Sequence, residues 1–138
     1  MDQIIVDEAV RQAILSVNAI SAFNEHHGFE IAELSPGHAT LRMKTDKTSL
    51  NHAQTLHAGV AAGLLDTAAG FAAATVAGQV VTVGLNTAYI AASVGPVFEA
   101  RADVIRAGRT QVFVDAKLFA IGNDDKLIAT ANVILTKK

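Results

Sequence analysis

The chain contains no cysteine among its 138 residues. This absence excludes disulfide bonds, thiolate nucleophiles, and zinc or iron–sulfur sites held by thiolates. Any catalysis must therefore rest on oxygen or nitrogen groups. The absence is also compatible with a reducing compartment.

An excess of charge of one sign is also missing. The formal net charge is -2, and without a long run of like charge the chain lacks the basic field that nucleic-acid or anionic-membrane binding requires. Acids at Asp2, Asp7 and Glu8 stand where a secretory signal would be basic and then apolar, so we expect a cytoplasmic protein. The length and a hydrophobic content of 51% predict one domain over residues 1–138. A small acyl-type ligand is the expected partner.

One long apolar segment, residues 56–77, approaches the roughly 20 residues that span a bilayer. It consists mostly of alanine and glycine, and Asp66 lies at its middle. A carboxylate there would cost about 2.5–3.5 kcal/mol on membrane insertion. The segment therefore predicts a buried core helix, which Gly78 ends.

Two shorter helical segments precede this long helix. Apolar residues from Ala9 to Val17 recur at spacings of three and four, which predicts an N-terminal helix. A short helical turn over residues 20–23 follows and ends before Gly28.

The remaining segments have the period of two that is typical of strands. Residues 29–44 predict a β-hairpin that turns at Ser35-Pro36-Gly37-His38. Four further strands follow as an antiparallel meander, with a turn at residues 122–125. We predict these strands at residues 80–90, 98–106, 111–120 and 126–136.

The long helix is apolar nearly all round. It needs cover on nearly all sides, which a curled sheet and a partner subunit would supply. We therefore expect an α+β fold in which an antiparallel sheet wraps around one long central helix, with an N-terminal helix lying across a surface groove.

The start of the long helix carries a cluster of polar groups, residues 51–59. Thr55 is the predicted N-cap, which would leave the backbone N–H groups of His57, Ala58 and Gly59 free. A helix start of this kind stabilises a developing oxyanion.

Asp66 is the one carboxylate within the long helix. An ionised carboxylate among Leu65 and Ala69 without partners costs several kcal/mol, so stability alone does not explain it. The residue is a candidate for catalysis; the alternative is a hydrogen bond to a strand backbone or a pairing across a dimer interface.

Three glycines share one helix face with Asp66, because Gly59, Gly63, Asp66 and Gly70 are spaced by four, three and four. This face predicts a shallow, bare groove that admits either a ligand or tight packing of another element. The helix start and Asp66 are about 12 Å apart, since Ala58 lies eight residues earlier. One carbonyl cannot touch both, so we predict a two-fold dimer with antiparallel central helices and two shared sites.

The order of these residues resembles a known family. Asn51, His57, Gly59 and Asp66 have the spacing N-x5-H-x-G-x6-D, which is similar to the active-site segment of hot-dog-fold thioesterases of the phenylacetate-pathway and 4-hydroxybenzoyl-CoA types. The sequences TVGLN and RAGRT, beginning at residues 82 and 106, lie where similar proteins have a hydroxyl-bearing strand and a Gly-Arg-Thr/Ser turn. The resemblance covers most of the chain. It implies hydrolysis of an acyl-CoA by a homodimer, commonly paired into a homotetramer.

The resemblance implies a role for each matching residue. Asp66 would act as nucleophile or general base, the Ala58 amide and Asn51 side chain would hold the thioester carbonyl, and Thr82 would orient water. His57 is similar to the histidine beside the carbonyl or leaving thiolate, with bracing of the loop as the alternative. Ala58 replaces the first glycine of the usual His-Gly-Gly; it keeps the amide but takes space near the acyl group.

Substrate binding is likewise implied by the resemblance. Arg106 and Arg109, together with Arg101, could meet the phosphates of coenzyme A. The alternative is that they are solvated strand residues. No cofactor is expected, because coenzyme A belongs to the substrate. Four histidines lack metal-ligand spacing with carboxylates: His26, His27, His38 and His52. The substrate-binding positions are Gly59, Arg106, Gly108, Arg109 and Thr110.

Two other functions remain open. A hot-dog hydratase or dehydratase would need a histidine and a carboxylate poised at the acyl chain, and a regulatory hot-dog protein would bind acyl-CoA without turnover. Aromatic and short- or medium-chain acyl groups all stay open, because pocket shape depends on packing around Phe71, Leu50 and Ile90. Tyr89 and Phe98 are assigned to the core.

Overall fold

The structure, a computed structural model, describes residues 5–122 and 124–138. The acid at Asp2 and the turn residue Asn123 lie outside these residues. A short 3-10 turn, Lys47–Ser49, precedes the long helix. The helices and strands are α1 (Glu8–Ile20), α2 (Ala22–His26), β1 (Glu30–Ser35), β2 (His38–Lys44), α3 (Ala58–Ala77), β3 (Val80–Tyr89), β4 (Val97–Ala107), β5 (Gln111–Ile121) and β6 (Lys126–Lys137).

Every predicted helix is confirmed. Asp7 caps α1 by accepting hydrogen bonds from the N–H groups of Ala9 and Val10, at 2.9 and 3.4 Å. At the end of α3, Gly78 has a φ of 74°, a conformation that side chains with a Cβ rarely adopt. The helix therefore ends where the sequence predicts.

The strands form one antiparallel sheet in the order β1-β2-β4-β5-β6-β3. The β1–β2 hairpin is confirmed, and β4, β5 and β6 form a meander. The expectation that β3 begins this meander is wrong, because β3 pairs with β6 at the opposite edge. The connection over residues 90–96 is longer than a tight hairpin turn, and it carries the chain across the sheet to β4.

The core lies between α3 and the inner face of the curled sheet. By length and composition alone α3 could cross a membrane, but nine of its residues are buried inside the fold. This arrangement of a sheet around a long helix is a hot-dog fold. The buried residues of α3 are Val60, Ala61, Leu64, Leu65, Ala68, Ala69, Phe71, Ala72 and Ala73.

Candidate active site

Asp66 on α3 lies beside Thr82 on β3. The Thr82 hydroxyl donates a 2.7 Å hydrogen bond to Asp66 Oδ1, because the inward register of Thr82 opposite Leu135 points its side chain at the helix. The Oδ2 atom accepts no hydrogen bond from the part of the chain that the structure describes. Asp66 is half-buried rather than fully buried, so its carboxylate reaches solvent.

A cavity of about 600 Å³ opens at this carboxylate. It lies between α1, α3 and the start of β3, and Asp66 and Thr82 both line it. Phe71, which we expected to shape the pocket, lines this cavity, while Leu50 and Ile90 do not. The arrangement places a carboxylate with one free oxygen at an apolar space of ligand size.

The start of α3 differs from its prediction. The N-cap is His57, not Thr55, and the His57 Nδ1 atom accepts a 2.8 Å hydrogen bond from the Gly59 N–H. The chain stays extended up to His57 because Leu56 pairs with Leu50 in an isolated β-bridge. Since Nδ1 accepts, the neutral ring carries its proton on Nε2.

Of the three backbone amides at this helix start, one is left to bind a ligand. The His57 N–H donates to the Ser49 carbonyl at 2.9 Å, and the Gly59 N–H is held by the His57 ring. Within residues 5–122 and 124–138 the Ala58 N–H has no partner. The expectation of three free amides is therefore wrong, although the amide that the resemblance singles out is the free one.

Asn51 braces the loop before α3. Its Oδ1 accepts from the N–H groups of Ala53 and Thr55 at 2.9 and 3.1 Å. Its Nδ2 donates to the Thr55 hydroxyl at 2.9 Å. One N–H of the Asn51 amide is left over, so the side chain retains a single donor for a ligand.

Tyr89 lies where its sequence pattern does not predict. Its side chain is 51% exposed, so its assignment to the core is wrong, whereas Phe98 is fully buried as expected. The Tyr89 hydroxyl donates to the Ala58 carbonyl at 3.0 Å. A bulge between Thr82 and Gly84 shifts the two-residue period, so simple alternation cannot put Thr82 and Tyr89 on the same inward face.

The predicted substrate-binding turn lies at the other end of the molecule from Ala58. The Thr110 carbonyl accepts from the Lys137 N–H, and Lys137 pairs with Val80, just after the end of α3. In one chain this turn and the free Ala58 amide are therefore not brought together. The turn residues concerned are Arg106, Gly108, Arg109 and Thr110.

Arg101 is not available for phosphates. Its guanidinium pairs with Glu99 and Asp125 and lies 4.1 Å over the Phe119 ring. Arg106 and Arg109, by contrast, make no ion pair with any residue that the structure describes. The two arginines favoured by the resemblance are thus the free ones.

The glycine face of α3 is only partly bare. A Cβ on Gly63 would lie 2.7 Å and 2.9 Å from ring atoms of Phe23, so an aromatic side chain fills that position. A Cβ on Gly70 would meet only Leu135, at 3.9 Å. Within the described chain no group of three histidine or acidic residues could hold a metal ion.

Comparisons with known proteins identify the family. The sequence model of one family, described as the thioesterase superfamily, matches residues 53–134. A thioesterase family protein from Silicibacter pomeroyi has 28% identity and a TM-score of 0.88, over 92% of this chain and 96% of its own. Zebra fish thioesterase superfamily member 2 has 27% identity and a TM-score of 0.81, over 93% and 96%.

One further structure shows likeness of fold alone. The PaaI protein from the phenylacetic acid degradation operon of E. coli has 19% identity and a TM-score of 0.85, over 94% of this chain and 93% of its own. A comparison with curated protein sequences finds no significant match.

Proposed function

Because the chain belongs to the thioesterase superfamily, we propose that it hydrolyses the thioester bond of an acyl-CoA to a free acid and coenzyme A. The observation that carries this proposal is the Asp66 carboxylate, which accepts a hydrogen bond from Thr82 through one oxygen and belongs to the lining of an apolar cavity. A carboxylate of this kind is either a nucleophile or a general base.

Both roles of Asp66 lead to the same products, a free acid and coenzyme A. As a base, Asp66 takes a proton from water while the water oxygen attacks the thioester carbon; the tetrahedral intermediate then expels the thiolate, which takes that proton. As a nucleophile, Asp66 forms an anhydride with the acyl group and expels the thiolate; water then hydrolyses the anhydride to the free acid and the Asp66 carboxylate, and the second proton of that water goes to the thiolate. The Thr82 hydrogen bond supports either role, because it fixes the carboxylate orientation.

The oxyanion donor in this proposal comes from a second subunit. Ala58 and Asp66 are about 12 Å apart along one helix, too far for one carbonyl. β3 is an edge strand with exposed Val81, Val83 and Leu85, and exposed apolar edges favour pairing with another chain.

Two-fold pairing of β3 with its copy would bring Asp66 and the oxyanion donor of the second subunit into one site. β3 runs from the end of α3 back to its start, where Tyr89 contacts Ala58. In an antiparallel pair, the partner's Ala58 would therefore lie towards Asp66.

Three further expectations remain predictions. They are a further pairing of dimers into a homotetramer, a single domain over residues 1–138, and a cytoplasmic location.

Coenzyme A binding in this proposal uses the β4–β5 turn. Arg106 and Arg109 would meet phosphates, and Gly108 and Thr110 would shape the turn around them. Gly59 would let the substrate approach the helix start. No cofactor takes part, because the reaction needs only water.

The test is release of free thiol from a panel of acyl-CoAs, followed with a thiol reagent. We expect Asp66→Asn to lower kcat at least about 100-fold, while Asp115→Asn, an exposed aspartate on the outer sheet face, leaves it unchanged. Full activity of Asp66→Asn would disprove the mechanism. Binding of acyl-CoA without any thiol release would favour the regulatory alternative.

A mixing experiment tests the shared site. Ala58→Pro removes the amide hydrogen and keeps the helix start, because proline suits the first helical position and His57 already has the extended conformation that must precede it. Neither Ala58→Pro nor Asp66→Asn alone should be active. Mixed dimers carry one intact site, so an equal mixture should recover about a quarter of wild-type activity. No recovery after verified subunit exchange, or a fully active monomer, would refute the shared site.

A further inference from the structure

A cavity of about 600 Å³, open to solvent, lies beside Asp66 between α1 and α3. That volume lies in the range of small-molecule sites.

The N-terminal helix forms one apolar wall of this cavity. Val10, Ala13, Ile14 and Val17 of α1 all line the cavity, and of these only Ile14 is buried in the core. Val17 stays 51% exposed, so α1 lies over α3 without closing onto it. Facing it across the space are Phe71 and Leu135.

Most of the lining surface is apolar, and Gln79 and Lys138 lie beside Gly78 at the far end from Asp66. The polar lining residues are Ser21, Asn24, Asp66, Thr67, Gln79, Thr82 and Lys138. Asn24, in α2, donates its side-chain amide to Asn18 and its backbone N–H to the Ser21 hydroxyl. Asp66 and Thr82 occupy the end at which the reaction is proposed. The floor of the cavity runs along α3 from Asp66 to Gly78, about 18 Å at 1.5 Å per residue.

The direction in which a chain can extend from Asp66 is set by Phe23. Its ring covers Gly63, one turn before Asp66, and packs edge-on against Phe29 with ring centroids 5.6 Å apart. The helix surface towards the start of α3 is therefore occupied. From Asp66 the open path leads towards Gly78, beneath α1.

We infer that this cavity binds the acyl chain of the substrate, an unbranched apolar chain of medium length that lies along α3 with α1 as its outer wall. This inference rests on the proposed thioesterase function. It assigns α1 as the element that limits chain length. An aromatic acyl group is shorter and would leave most of this cavity empty.

The test narrows the cavity from its outer wall. Ala13 lines the cavity and is exposed, so Ala13→Phe adds a ring there without entering the core. Ala19→Phe is the matched control, because Ala19 is an exposed alanine of the same helix outside the lining. We expect Ala13→Phe to lower kcat/KM for decanoyl-CoA about tenfold or more relative to acetyl-CoA, and Ala19→Phe to leave that ratio unchanged.

A binding measurement separates this inference from the proposed function. Calorimetric titration with decanoate should show binding to wild type and to Ala19→Phe, and at least about tenfold weaker binding to Ala13→Phe. If no acyl-CoA is hydrolysed but this binding pattern holds, the thioesterase proposal fails, while the assignment of the cavity as an acyl-chain site stands. An unchanged decanoyl-to-acetyl ratio together with unchanged decanoate binding overturns that assignment. Should Ala13→Phe fold poorly, Val17→Phe makes the same test.

Discussion

Replacing either of two glycines of α3 by alanine should have different effects on stability. In a helix interior, alanine is favoured over glycine by about 1 kcal/mol. At Gly70 the new methyl group would meet only Leu135 Cδ2 at 3.9 Å, an ordinary van der Waals contact. We therefore expect Gly70→Ala to raise the free energy of unfolding by about 0.5–1 kcal/mol.

At Gly63 the same substitution meets an aromatic ring. The new methyl group would lie 2.7 Å from Phe23 Cε2 and 2.9 Å from Cζ, closer than carbon atoms pack. The ring must move, but Phe23 is 45% exposed, so its displacement costs about 1 kcal/mol, at the low end of the range for overpacking. This cost offsets the helix-propensity gain, so Gly63→Ala should be less stable than Gly70→Ala by about 1 kcal/mol.

Urea unfolding followed by circular dichroism measures both variants, at equal protein concentration because subunit association contributes to stability. The control removes the ring: in a Phe23→Ala background, Gly63→Ala should stabilise the protein much as Gly70→Ala does. If Gly63→Ala stabilises the protein as much as Gly70→Ala does while Phe23 is present, the ring does not contact Gly63 as the structure indicates. The argument that Phe23 covers the helix surface before Asp66 then fails as well.

Two further predictions concern a buried carboxylate and the helix start. Burial alone would raise the pKa of Glu99, but hydrogen bonds and charge from Arg42 and Arg101 outweigh it and lower that pKa below its ordinary 4.5. The ionised group thus stabilises the fold fully above about pH 4.5, and this stabilisation is lost as the pH falls through its lowered pKa. Glu99→Gln should cost about 1–3 kcal/mol in urea unfolding at pH 7. This deficit should shrink in acid, and an equal deficit near pH 3 would contradict the reasoning. Tyr89→Phe removes the hydroxyl held by the Ala58 carbonyl and should lower kcat about 2–10-fold with little change in KM; an unaltered kcat would show that this contact does not position the free amide.

Most secondary structure follows from local pattern. The alternation in residues 29–44 predicted the β1–β2 hairpin, and the apolar run with its closing Gly78 predicted α3. Asp66 stood out because a carboxylate in such a helix is costly without a purpose. These inferences needed only neighbours in sequence, since period and capping are properties of short segments.

Features that depend on distant contacts were missed. Thr55 looked like the N-cap, but the bridge between Leu50 and Leu56 keeps the chain extended two residues longer. The edge position of β3 follows from how the chain leaves α3 and crosses the sheet, which no strand pattern records.

The amino-acid sequence by itself therefore determined the elements, the helical carboxylate and the segment that resembles a thioesterase active site. Tertiary structure alone decided that Thr82 holds Asp66, that Tyr89 contacts Ala58 and that Phe23 covers Gly63. The physical reason is range: helix and strand periods act over a few residues, whereas these three contacts depend on how separate elements pack together.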